Sequence, residues 1–203
     1  MMEFLLLASA HFLALLSPGP DFFLIMQASL RLPLRFGFAI CTGIALANGI
    51  YLLLAVIGFE AVRETSWLFS TLKYLGAAYL MFIGVMLLRA PKRKPGTQEE
   101  SSFLKIENMQ RQFFIGFMSA ILNPKNIIFY LSLFTAMVSV ETEFMTRCLY
   151  ALWMMSVVFL WDCCVVMTIG RDQVKKWLGD CIFYIEKLSG VALTGFGILL
   201  FIA

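Results

Sequence analysis

Two short runs interrupt long apolar stretches of this sequence: Ser17-Pro18-Gly19-Pro20-Asp21 and Asn123-Pro124-Lys125. In a helix, Pro18 removes the hydrogen bond to the Ala14 carbonyl and Pro20 the one to the Leu16 carbonyl, and Gly19 adds backbone freedom. A helix entering the first run must break there, about 20 Å from its start. Ser17 is expected to cap the second segment, which begins near Pro20. Asn123 and then Pro124 repeat the design: a capping residue followed by proline at the first helical position. Two helix N-termini then point inward, and their free N–H groups and partial positive charge suit an anion such as a carboxylate. The neighbouring carbonyls suit an ammonium group or a proton donor. The two breaks are expected to meet.

Asp21, Lys125 and Asp162 are the charges furthest from any loop. Each costs about 2.5–3.5 kcal/mol at the centre of a membrane helix, so each calls for a partner or water. Asp21 and Lys125 stand just beyond the two prolines, and a symmetric fold would bring them together. They then either orient a bound group and couple protons, or form a structural ion pair. Asp162 is expected nearer the cytoplasmic surface, with uncharged Asn48 as its counterpart. His11 has no second histidine to share a metal with and reads as a helix-packing residue. The five cysteines, Cys41, Cys148, Cys163, Cys164 and Cys181, form no zinc-type spacing and read as small apolar fillers. No cofactor is implied.

The elements that must position these residues are membrane helices. The chain is 61% hydrophobic and 14% charged, with a mean hydropathy of +0.85, and so little polar surface cannot cover a water-soluble globule of this length. Six stretches approach the ~20 apolar residues a span needs: 4–30, 36–59, 67–88, 113–140, 148–170 and 182–203. Glu3 stands where a signal peptide would be basic, and no small-residue cleavage site precedes Ser17, so the first stretch reads as a retained helix. No soluble domain is expected after the last. The net charge of +3 comes from basic residues clustered in loops and gives no reason to expect nucleic acid. Eleven lysines and arginines lie in the loops after the first, third and fifth stretches, against Arg63 and Arg147 opposite. The richer side, with the 89–112 loop, is expected to be cytoplasmic and both termini on the far side.

The expected fold class is therefore an all-α integral membrane protein of one transmembrane domain. Its halves, 1–89 and 113–203, are joined by a linker at 90–112, and they look alike. Each has three stretches, and each opens with a Pro-interrupted one. The third reads Lys73-Tyr74-Leu75-Gly76 and continues to Gly84; the sixth reads Lys187-Leu188-Ser189-Gly190 and continues to Gly197. An odd number of spans per half makes this an inverted repeat, a recurring transporter plan. In the second stretch Gly37, Cys41, Ala45 and Gly49 form a small-residue stripe that lets another helix approach closely.

The first run, Gly76-Ala77-Ala78-Tyr79-Leu80 with Gly84, and Asn123-Pro124-Lys125 together resemble the lysine-exporter (LysE/RhtB) family, over the whole chain. The stretch from His11 to Phe23 looks most like its threonine- and homoserine-exporting branch. The resemblance implies an amino-acid exporter of the bacterial inner membrane, driven by the proton motive force, with both termini periplasmic. It implies no enzyme activity. It carries the family's motif positions onto Pro18, Gly19, Pro20, Asp21, Asn123, Pro124 and Lys125. The chain departs from the pattern at Asn48, where many relatives are acidic, and at Asp162, which is not a family position. The implied partners are an amino acid, protons and the lipid bilayer, with a homo-oligomer as an option. A basic amino acid, another small solute or a cation is the alternative cargo, although two aspartates are few for a metal site. Thiol–disulfide electron carriers place a cysteine beside each break, where this chain has Gly19 and Lys125. A membrane interaction protein would need no matched breaks.

Overall fold

The computed structural model describes residues 2–16, 19–63, 66–89, 107–139, 141–169 and 172–202. Ser17 and Pro18 lie outside the described residues, as do most of the linker and the side chains of Pro124 and Lys125. The described chain is all-helical: α1 (Met2–Leu16), α2 (Pro20–Arg31), α3 (Leu34–Arg63), α4 (Ser66–Arg89), α5 (Met109–Ile121), α6 (Pro124–Met137), α7 (Phe144–Ile169) and α8 (Asp172–Ile202).

Proline and glycine set the inner boundaries. Pro20 opens α2 and Pro124 opens α6, where a missing N–H does no harm. The N-cap of α2 is Gly19, with extended backbone and no side-chain cap. This corrects the expectation that Ser17 caps α2: the helix starts at the second proline of the run, so its cap falls two residues later. Asn108 caps α5 by accepting from the Arg111 N–H at 2.9 Å.

Leu34–Phe59 and Phe144–Thr168 are each long and apolar enough to cross a membrane. Met2–Leu16 with Pro20–Ser29, bent by 55°, passes the same test as a pair. On α3 the outward residues include Leu46, Ile50, Leu53, Leu54 and Ile57, all exposed. A continuous apolar face of this kind is suited to lipid.

The core divides into two apolar clusters. One joins α1, α3, α4, α6, α7 and α8 through residues such as Leu7, Leu52, Leu80, Leu133, Met154 and Leu193. The other joins α2, α3, α5 and α7 through Ile25, Ile40, Ile44, Ala120, Val158 and Val166. α3 and α7 run through both, while each half of the two broken pairs serves mainly one.

Small residues set the close crossings. A Cβ on Gly43 would strike the Phe113 carbonyl of α5, and one on Gly116 would strike the Ile40 carbonyl of α3, so these helices meet backbone to backbone. The stripe named from the sequence faces α7 instead: Gly37 lies against Val166, Gly49 against Met155, and Cys41 beside Cys163. Between α4 and α8, Gly84 abuts Gly190 and Thr194, while Gly197 abuts Ala77 and Met81. Exchange Ala77 with Gly190, Met81 with Thr194 and Gly84 with Gly197, and this set of contacts maps onto itself. At the α3–α7 crossing, exchanging Cys41 with Met155 and Gly49 with Cys163 swaps two of the three contacts just named, and the same register pairs Asn48 with Asp162.

Candidate functional site

The two broken pairs meet at a polar seam between the clusters. Asp21 lies in the first turn of α2, but its carboxylate reaches across to the other pair. The Ser119 hydroxyl of α5 donates to Asp21 Oδ1 at 2.6 Å, and the Asn126 amide of α6 donates to Oδ2 at 3.0 Å. The Asn126 amide also donates to Asn48 Oδ1 on α3 at 3.1 Å, with a longer approach of 3.4 Å to the Ala120 carbonyl. One turn along α3 from Asn48, the Tyr51 hydroxyl donates to the carbonyl of Ile121, the last residue of α5. Four helices are thus tied through side chains that an apolar core would reject unless paired.

Beside this network is a cavity of about 80 Å³, where one water needs roughly 10–15 Å³ of such space. Its polar lining includes Asp21, Asn48, Asn123, Asn126, Tyr130 and Asp162, and its apolar walls include Ala14, Phe22, Ile44, Phe129 and Trp161. Asp162 is buried, and its Oδ2 finds no hydrogen-bond partner among the described residues. The cavity therefore holds one carboxylate already engaged by two donors and one with an oxygen to spare. Among the described residues no group of three or more histidines, cysteines or acids is arranged to hold a metal ion.

Residues 12–203 match the family described as LysE type translocator. The chain belongs to this family. It is 26% identical over 205 residues to the threonine efflux protein of Escherichia coli (strain K12), covering 100% of this chain and 99% of that one. It is 28% identical to the uncharacterized membrane protein YrhP of Bacillus subtilis (strain 168), over 89% of this chain and 90% of the relative. The leucine efflux protein of Klebsiella pneumoniae is 26% identical over 64% of this chain and 60% of its own length. No solved structure matches.

In this translocator the residues singled out from sequence converge unequally. Gly19, Asp21, Asn48, Asn123 and Asp162 all line the one cavity, and Pro20 and Pro124 head the helices that frame it. Asp162 is buried and lines the cavity together with Asn48, its expected counterpart. Ser17 and Pro18 lie outside the described residues, as does the Lys125 side chain, and with it the Asp21–Lys125 pair. Sequence reasoning missed Ser119, Tyr51, Tyr130 and Trp161. Asn126 stands directly after the second run.

Proposed function

We propose that this translocator exports a neutral amino acid such as threonine or homoserine across the bacterial inner membrane, driven by the proton motive force. The observation that carries the reading is the meeting of the two helix breaks at one cavity containing Asp21 and Asp162. The N-termini of α2 and α6 offer positive dipole ends to the solute's carboxylate. The spare oxygen of Asp162 accepts its ammonium, and Asn48, Asn126 and Tyr130 are at hand for a side-chain hydroxyl. Two full-length or partial relatives are named for efflux of threonine and of leucine, both neutral amino acids.

Asp21 supplies the coupling. As a carboxylate it accepts from Ser119 and Asn126. A proton on it turns one oxygen into a donor. Ser119 can rotate its hydroxyl to accept, but the Asn126 NH₂ group cannot. Protonation therefore breaks or re-aims a tie between α2 and the second broken pair, which links proton uptake to helix movement.

The six spans of this reading are α1 with α2, α3, α4, α5 with α6, α7, and α8, arranged as two inverted three-span repeats. The contacts that map onto themselves at the α4–α8 and α3–α7 crossings support that symmetry. Both termini are periplasmic and the 89–112 loop cytoplasmic, in line with the basic residues.

Dipeptide loading tests the proposal. Cells that hydrolyse dipeptides of threonine, leucine or lysine are scored for the free amino acid outside, with and without this protein, and again after a protonophore. Threonine export lost with the proton gradient is the expected result. Absence of any added export would overturn the reading. Export of lysine alone would favour the basic alternative, which two cavity carboxylates make chemically reasonable.

A further inference from the structure

His11 is fully buried on α1, one turn before Ala14 and Leu15, which line the cavity. Its ring lies among aromatics: 6.4 Å from Phe129, stacked, and 6.0 Å from both Tyr130 and Trp153. Phe129 and Tyr130 also line the cavity. They form a wall one residue thick, with the cavity on one side and His11 on the other. Further along α1 toward its start, Phe4 rests on Tyr150 and Trp153, and Glu3 accepts from the Ser139 N–H and the Thr142 hydroxyl. This side of the cavity is closed by α1 held against α6 and α7.

Neither ring nitrogen of His11 has a hydrogen-bond partner among the described residues. A neutral imidazole carries one N–H donor and one acceptor, and burying both unmade is unfavourable. A phenyl ring would suit this aromatic nest better. The histidine makes sense if a second arrangement of these helices gives it partners. Alternating access supplies one: the wall between the cavity and the Glu3 end must open, and the opening passes His11.

We propose that His11 is the proton-binding residue of this gate, hydrated and charged when the cavity opens toward the Glu3 end and neutral when the wall is closed. The inference rests on the transport reading above. The proton comes from water on the outer side onto the ring nitrogen that lacks one. Before Phe129 and Tyr130 close over the ring, it passes to cavity water within reach of the Asp21 and Asp162 carboxylates. Tyr130 of α6 is the titratable group against the ring; the same core cluster also holds Tyr51 of α3 and Cys148 and Tyr150 of α7, with Arg147 of α7 over its Phe59 and Glu3 at the far end of α1. Free imidazole titrates near pH 6.5, so among these His11 is the group suited to exchange protons near neutrality once water reaches it.

His11 is the only histidine in the chain, so ¹⁵N-histidine labelling of protein carrying a histidine-free tag gives one imidazole. In lipid bilayers between pH 5 and 8, a population whose signal titrates with bulk pH at a midpoint within about a unit of 6.5 is expected. A single neutral imidazole unchanged across the range would overturn the proposal, whatever the protein transports. In vesicles, His11→Phe is expected to keep threonine exchange at equal pH and to lose at least about tenfold of the export added by a pH gradient. Unchanged gradient-driven export by His11→Phe would also overturn it. If the unaltered protein moves no amino acid, the function proposed above fails, and the imidazole spectrum still decides the role of His11. If His11→Phe does not reach the membrane, the spectrum of the unaltered chain decides it too.

Discussion

The two helix breaks begin alike and are supported differently. At the second, the freed backbone is sealed close to home. The Leu122 N–H donates to Met118, the Asn123 N–H to Ala120, and the Asn126 N–H to the Asn123 carbonyl. Tyr51 covers the Ile121 carbonyl from α3. At the first, among the described residues, α2 starts from a glycine with no side-chain cap whose carbonyl accepts from the Phe23 N–H, and the charge in its first turn is held by Ser119 and Asn126 of the other pair. The second break is an anchor fastened to α3, and the first leans on it. A carboxylate whose partners lie on other helices is well placed to move those helices when its charge changes. One sealed within its own turn is not.

Removing the charge that leans is expected to have the largest effect. Asp21→Asn keeps the shape but cannot titrate, and export against a gradient should fall to background while the protein still reaches the membrane. Full gradient-driven export would show that Asp21 has neither a coupling nor a structural role. Next comes Asn126→Leu, which strips a donor from both Asp21 and Asn48. It should lower stability by about 2–4 kcal/mol, since the buried Asn48 oxygen loses its donor and the half-buried Asp21 carboxylate keeps only Ser119; thermal unfolding of the solubilised protein reads this.

Gly43→Ala loosens the anchor itself. Its new Cβ meets the Phe113 carbonyl and lies 2.7 Å from the Phe117 nitrogen, and backbone cannot step aside, so a loss of about 2–3 kcal/mol is expected. Tyr51→Phe leaves the Ile121 carbonyl to find water, at about 1–2 kcal/mol by the same melting assay. Smallest is Gly49→Ala. Its Cβ meets the Met155 sulfur, a flexible group that can shift, and alanine favours the helix, so the net change should stay within about 1 kcal/mol. An equal effect of Gly43→Ala and Gly49→Ala would remove the distinction between a helix held by backbone contact and one held by side chains.

The breaks and their acid were legible because proline, glycine and a charge inside an apolar stretch are punctuation that survives without any fold. The partners of Asp21 were not. Ser119 looks like any small residue in an apolar helix, and only the crossing of α5 with α2 gives it a meaning. Spacing also misled at two places. The stripe from Gly37 to Gly49 hid Gly43, which serves a different neighbour. The likeness of the third and sixth stretches, read at Gly76 and Gly190, is one residue off the register of the contacts, where Ala77 stands opposite Gly190 under the exchange. Counting along a span gives a depth for Asp162 but not the direction in which it faces, which depends on what α7 is packed against, and it lines the cavity with Asn48.

A contact unchanged when its two sides trade places is the contact that two copies of one chain would make. On the proposed repeat, the α4–α8 crossing descends from a homodimer of three-span chains inserted in opposite directions and later joined by the basic linker. Before that fusion, one gene would have written both sides of the crossing, so each change would have arrived twice. Afterwards the sides were free to drift, and Ala77 with Gly190 and Met81 with Thr194 mark the drift. The Thr194 hydroxyl donates back to the Gly190 carbonyl at 2.7 Å, a bond that a thioether at Met81 cannot return to Ala77. Gly84 and Gly197 did not drift, because each still meets backbone on the other side, and a duplicated gene loses only the likeness that its own product no longer enforces.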